Sequence, residues 1–252
     1  TVLLGKAGSG KSTQCYREIQ ACAAAGGKAL LLVPDQATYG AERHLAEHSE
    51  GQGFIGTQVV GFSRLAYNVF QERGLAHASL SELARKIILQ RLLHKGEKEF
   101  SVLQTAARQP NFADTAGRFL WECRSFCVTP DALRKAAEAV PNPTLSHKLE
   151  DISRLYGAYQ DFLADHFGSA DDTMTLLARE VGHYSFLQGA HVWVDGFQWF
   201  TPQQMEILRQ MERVTAQVTI TLTIDEENLE QQRRETALFH RAYEVYRDLK
   251  TL

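Results

Sequence analysis

An α/β fold, a mainly parallel sheet with a large helical insertion, is predicted by three observations. Short, continuously apolar runs at Val2–Leu4 and Ala29–Val33 read as strands of the kind buried on both faces. Around them strand patterns alternate with helical ones, as crossover-linked parallel strands require. From about Ser63 to His183 the pattern is almost entirely helical, and strands resume only at His191–Asp195.

Taken in order, Val2–Leu4 is followed by a glycine-rich turn and a helix from Ser12 to about Ala25, stopped by Gly26-Gly27. Ala29–Val33 is the second strand and Gln58–Phe62 the third. In the helical stretch, Ser79-Leu80-Ser81-Glu82 reads as a capping box. It precedes an apolar stripe at Leu83, Ile87, Ile88 and Leu92, with Gly96 as the stop. Leu145, Leu149, Ile152, Leu155, Tyr159, Phe162 and Leu163 form a second stripe at helical spacing, read as packing. After His191–Asp195, a helix starts at Thr201 with Pro202 at its first position and Gln204 three residues past the cap. Val218, Ile220, Leu222 and Ile224 alternate with threonines as a period-two strand. A last helix is expected over Thr236–Leu249.

These elements group into a discontinuous sheet lobe, 1–62 with 186–225, a helical insertion over 63–185, and the start of a following region over 226–252. With 252 residues, 44% hydrophobic and 23% charged, the chain has the composition of a globular protein with a substantial core. No run approaches the roughly 18 apolar residues of a membrane span, and no signal-peptide pattern opens the chain; a cytoplasmic setting with no membrane partner is expected. Four cysteines are too few and scattered for a disulfide scaffold. Cys123 and Cys127 share a helical face, but no second pair or nearby His completes a four-ligand site, so core thiols are expected.

The net charge of −3 does not announce a nucleic-acid binder, but it is unevenly spread. Residues 64–124 carry ten Lys/Arg against six Asp/Glu, and 131–172 carry four against eight, which permits a basic groove.

One motif carries specific chemistry. Gly5-Lys6-Ala7-Gly8-Ser9-Gly10-Lys11-Ser12 fits G-x-x-x-x-G-K-[ST] at every fixed position, with a buried strand before it and a helix after it. Glycines let consecutive N–H groups curl toward phosphate oxygens, and the helix N-terminus adds partial positive charge. Gly5, Gly8, Ser9, Gly10, Lys11, Ser12 and Thr13 are therefore candidates to cradle ATP. Lys11 would reach the β- and γ-phosphates and Ser12 would hold Mg²⁺. The fold class narrows to a P-loop NTPase. His191-Val192-Trp193-Val194-Asp195 offers a second strand ending in an Asp suited to Mg²⁺; its alternative is an ordinary Asp-Gly turn. The Glu that usually follows, to activate water, is absent: the next residue is Gly196.

Two further segments follow strands, where ligands bind in such sheets. Val33–Tyr39 and Val60–Tyr67 combine aromatic rings with hydrogen-bonding side chains suited to single-stranded DNA. Either, taken alone, is more often an ordinary loop and helix start.

The order GKAGSGKS, LVPDQATYGAERHL, VVGFSRLAYNVF, a helical insertion and VWVDGFQWFTPQQ resembles the B subunit of AddAB-type ATP-dependent helicase–deoxyribonucleases, over essentially the whole chain. The resemblance implies a superfamily-1 helicase-like first motor lobe with the insertion as its 1B-like subdomain. It implies a heterodimer with an A subunit, a role in double-strand-break repair, and recognition of a recombination hotspot rather than translocation. A second motor lobe, a nuclease and an iron–sulfur cluster are expected beyond Leu252, so Cys123 and Cys127 are not the cluster's ligands. Single-stranded DNA is expected to meet Gln36, Thr38, Phe62, Arg64, Tyr67 and Phe200. Two other readings stay open: an active DNA-dependent ATPase or helicase, against which the missing carboxylate counts, and a small-molecule P-loop kinase. Enzymatic activity of this stretch by itself is left undecided by its residues.

Overall fold

The computed structural model describes residues 1–47, 56–75, 80–109, 111–167 and 173–250. The chain divides into two compact units, Thr1–Ala76 with Met174–Leu252, and His77–Thr173.

The first unit contains β1 (Val2–Gly5), α1 (Lys11–Ala24), β2 (Ala29–Leu32), α2 (Thr38–Glu47), β3 (Thr57–Val60) and α3 (Phe62–Arg73). The second contains α4 (Glu82–Gly96), α5 (Gln104–Ala107), α6 (Phe112–Ser125), α7 (Pro130–Ala139) and α8 (Pro143–Phe167). The chain then returns to the first unit with α9 (Thr173–Glu180), β4 (His191–Val194), α10 (Pro202–Glu212), β5 (Gln217–Thr223) and α11 (His240–Leu249).

All five strands pair in parallel, in the order β1-β5-β4-β2-β3. The apolar runs are continuous because both sheet faces are covered. Leu30, Leu32, Val60, Val192, Val194, Ile220 and Leu222 pack against α3, α10 and α11. Their strand neighbours Ala29, Leu31, Val59 and Trp193 point the other way, onto Cys15 and Ile19 of α1 and Ala41 and Leu45 of α2. Each fully buried Leu in this sandwich contributes about 1.5–3 kcal/mol of transfer free energy. The threonines of β5 are not a solvated face either, since Thr219 and Thr221 are buried.

Several boundaries differ from the sequence expectation. β3 ends at Val60, and Phe62 opens α3 instead of closing the strand. The cause is a residue distant in sequence: a Cβ on Gly61 would run into the Asp35 carboxylate. That carboxylate accepts the Ser63 hydroxyl at 2.8 Å, turning the chain into a helix. α3 buries Leu65, Ala66, Val69 and Phe70 in the sheet core, so the helical insertion does not begin at residue 63. Likewise Leu177, Val181, Tyr184 and Leu187 belong to the sheet core, so it does not extend to 185. The 226–252 stretch also belongs to the sheet unit, through Val245 and Leu249. The last helix starts at His240 because Gln232 takes both the Phe239 N–H, at 3.3 Å, and, through its backbone oxygen, a His240 ring contact at 3.2 Å. At Thr201 the expected capping box is present, with Gln204 N donating to the Thr201 hydroxyl at 3.2 Å and Thr201 N donating to Gln204 Oε1 at 2.9 Å.

In the second unit, α4, α6 and α8 share a core of Ile88, Leu89, Leu93, Leu120, Leu155, Tyr156, Tyr159 and Leu163. The expected α4 stripe is rotated, leaving Leu83 and Ile87 exposed, and Leu145 of the α8 stripe is exposed too. The α4 cap is Ser81, whose hydroxyl accepts from Ala84 N at 3.1 Å; Ser79 lies outside the described residues. Asp151 on α8 is fully buried and accepts from the backbone N–H groups of Ser101, Val102 and Leu103. The expectation of core thiols holds for Cys15 and Cys123, whereas Cys127 is exposed, with a left-handed φ of 56° at the end of α6. Among the described residues no helix is long and apolar enough to cross a membrane.

Candidate nucleotide-binding site

The loop from Gly5 to Gly10 links β1 to α1 at the carboxyl edge of the sheet. Gly10 caps α1 in the left-handed region, with φ 88°, a conformation a side chain resists. No side chain caps the helix and no acid sits in its first turn. The first N–H groups of α1 are therefore left to an external acceptor, at the positive end of the helix dipole. Lys11 Nζ is drawn over the loop by the Gly5 carbonyl at 2.7 Å, the Lys6 carbonyl at 2.9 Å and Ser9 Oγ at 3.3 Å. Burial lowers its pKa, while the fields of Asp195 and then Glu226 oppose that shift. Ser12 and Thr13, in the same first turn, are exposed.

Asp195 leaves the end of β4 and is buried. Its Oδ1 accepts the Thr221 hydroxyl from β5 at 2.5 Å, and its own N–H donates to Leu32 O at 3.0 Å. Its field acts on side chains of α1: burial first, then Asp195, pushes the Cys15 thiol up to about 12 and raises the Tyr16 phenol. The distant segments 5–13 and 195 are thus brought together. An ammonium, an open helix N-terminus, a hydroxyl and a buried carboxylate form a donor set that fits a Mg²⁺-bound polyphosphate. Gly196 has φ 82°, in the left-handed region, so the backbone itself disfavours a side chain after Asp195.

The residues expected to meet DNA separate into two groups. Gln36 is exposed; Thr38 donates to Asp35 O at 2.9 Å; Arg64 pairs with Glu42 at 3.0 Å; Tyr67 is 63% exposed. Phe62 and Phe200 are only 4% and 7% exposed, joined edge-to-face and tilted through Phe197 in the sheet core. That burial corrects their expected role, because a base cannot stack on a ring already covered on the inside of the fold. The exposed rings at this edge are instead Tyr39, at 74%, Tyr67, and Trp199, at 42%. Trp199 was missed by sequence reasoning, and Tyr39 entered it only as the ring of the Val33–Tyr39 segment. Helical period carries the signal for Tyr39, since Ala41 and Leu45 mark the buried face of α2; Trp199 lies in an irregular loop that gives none.

The family model described as ADDB, N-terminal, matches residues 2–252. The B subunit of the ATP-dependent helicase/deoxyribonuclease of Pelotomaculum thermopropionicum is 38% identical over 252 residues, 97% of this chain and 22% of its own length. The B subunits of the same helicase/deoxyribonuclease from Desulforamulus reducens and Bacillus subtilis are 36% and 34% identical over 254 residues, covering 98% and 97% of this chain. The chain spans 22% of the length of each of these relatives.

Proposed function

Because the chain belongs to the ADDB N-terminal family, we propose that it is the nucleotide-binding, helicase-like portion of a B subunit that works with an A subunit on broken DNA. In this reading the stretch Gly5–Thr13 holds Mg·ATP, and the carboxyl edge of the sheet touches single-stranded DNA emerging from an unwound duplex. Hotspot recognition, rather than translocation, is its task, in the bacterial cytoplasm.

The observation that carries the reading is the convergence of the Lys11 ammonium and the Thr221-held Asp195 carboxylate on one uncapped helix N-terminus. Mg²⁺, when bound, supplies charge neutralisation and a template for the phosphate oxygens. Lys11 binds β- and γ-phosphate oxygens, Ser12 and Asp195 hold the metal, and Thr221 fixes the orientation of Asp195. Gln36, Thr38, Arg64 and Tyr67 remain the residues assigned to DNA, joined by Tyr39 and Trp199.

Titration with a fluorescent ATP analogue in the presence of Mg²⁺ tests the nucleotide reading. Saturable binding is expected, and Lys11→Ala should weaken it by at least about a hundredfold, the loss of a charge-assisted phosphate contact worth about 3 kcal/mol. Unchanged affinity in that variant would remove the P-loop assignment.

A further inference from the structure

A water-activating carboxylate is missing from its usual place, and the fold offers another. A side chain at residue 196 is disfavoured by the φ of 82°. In the strand order, however, β5 lies between β1, which leads into the phosphate loop, and β4, which ends at Asp195. The chain leaving β5 must therefore emerge between these two parts of the site.

Two contacts peg that exit to the loop and a third ties β5 to Asp195. Ile224 N donates to Gly5 O at 3.2 Å, Lys6 Nζ lies 3.3 Å from Asp225 Oδ1, and Thr221 holds Asp195. Asp225 is committed, to Lys6 and to Asn228 Nδ2 at 3.1 Å. Glu226, the next residue, is exposed and has no hydrogen bond or ion pair among the described residues. Besides Asp195, it is the acid whose field reaches the Lys11 ammonium, whereas Glu227 does not figure there.

Resting on the nucleotide reading above, we propose that Glu226 is the catalytic carboxylate of this site. The water oxygen bonds to the γ-phosphorus, and its proton passes to the Glu226 carboxylate. The bond from the γ-phosphorus to the β–γ bridging oxygen breaks, its electron pair leaving on ADP. ADP and inorganic phosphate are the products, and no further reactant is needed. A general base of this kind supplies about 10²–10⁴-fold when well placed; an exposed one supplies less.

The test uses two measurements on the chain and its Glu226→Gln, Glu227→Gln and Lys11→Ala variants: equilibrium titration with ATP and ADP analogues, and single-turnover hydrolysis of γ-labelled ATP. Glu226→Gln should cut hydrolysis by about tenfold or more. It should also tighten ATP by about threefold with little change for ADP, because a negative charge facing the γ-phosphate has been removed. Glu227→Gln should match the parent in both. Equal hydrolysis by Glu226→Gln and the parent would overturn the assignment, as would a parent rate no higher than that of Lys11→Ala. An absence of ATP binding by the parent would overturn the nucleotide reading and this inference with it.

Discussion

Asp151 offers a test of how the helical unit is held together, independent of any nucleotide. It is fully buried on α8, and its Oδ2 accepts from Ser101 N at 2.9 Å, Val102 N at 2.8 Å and Leu103 N at 3.0 Å. Its Oδ1 takes a second contact with Ser101 N at 3.0 Å. Asp151→Ala leaves three backbone donors without a partner. An orphaned buried donor costs about 1–3 kcal/mol, and only the Leu103 bond is fully buried, the other two being reached in part by water. The expected loss is therefore about 3–5 kcal/mol, the range found when one side of a buried charged network is removed. Asp151→Asn is the informative control. Its amide oxygen can occupy the Oδ2 position and keep all three donors, losing the charge assistance and meeting Ser101 N with an NH₂ group. Charge-assisted bonds are about twice as strong as neutral ones, so the asparagine should cost about half as much as the alanine. Urea unfolding followed by circular dichroism measures both losses, and amide exchange at residues 101–103 localises them. An alanine variant within about 1 kcal/mol of the parent, or an asparagine variant as damaged as the alanine, would refute this account of the carboxylate.

Two other outcomes follow from the same structure. At pH 8 an alkylating reagent should modify exposed Cys127 and leave Cys15 untouched, because the thiolate is the nucleophile and the Cys15 thiol is pushed up to about 12; raising pH toward that value should bring Cys15 into reaction, and labelling at pH 8 in the native protein would contradict its burial beside Asp195. For DNA, Tyr39→Ala and Tyr67→Ala should each weaken single-stranded oligonucleotide binding by about 1–3 kcal/mol with little change in melting temperature, whereas Phe200→Ala should lower the melting temperature through the core; anisotropy titrations and thermal melts separate the two, and an unaffected affinity in both tyrosine variants would argue against this edge as the DNA surface.

Much of the fold was legible because parallel strands buried on both faces leave unbroken apolar runs, and Val2–Leu4, Ala29–Val33 and Val192–Val194 are such runs. The cap at Thr201 was legible because Thr, Pro and Gln act within four residues of one another. The errors lie where a distant group decides. Val59, Val60 and Phe62 read as one strand, since nothing nearby shows that Asp35 occupies the space over Gly61 and starts a helix there. Once α3 is placed, the helical period puts Phe62 with Leu65, Ala66 and Val69 on the buried face and turns Tyr67 outward. The misplaced stacking residue and the missed helix start are one error.

The site shows the same division between local and distant causes. The candidate loop Gly5 to Ser12 was legible as a pattern, because a phosphate cradle of this kind is built from consecutive backbone groups and its residue types sit at fixed offsets. Asp195 needed one further step, the expectation that a strand across the insertion returns beside the loop. Thr221, and Glu226 in the role proposed for it, needed the strand order itself. In a sheet ordered β1-β4-β5, the end of β5 would stand behind Asp195 and its acids would face away from Lys11. In the observed order β1-β5-β4, the same residues open between the loop and Asp195. A period-two run of threonines and aliphatics reads alike in either position, so Gly196 alone suggested a site without a base. The register of β5 sets Leu222 opposite Leu4 and Ile220 opposite Val194, with Thr221 donating to Asp195, and the proposed role of Glu226 rests on that placement.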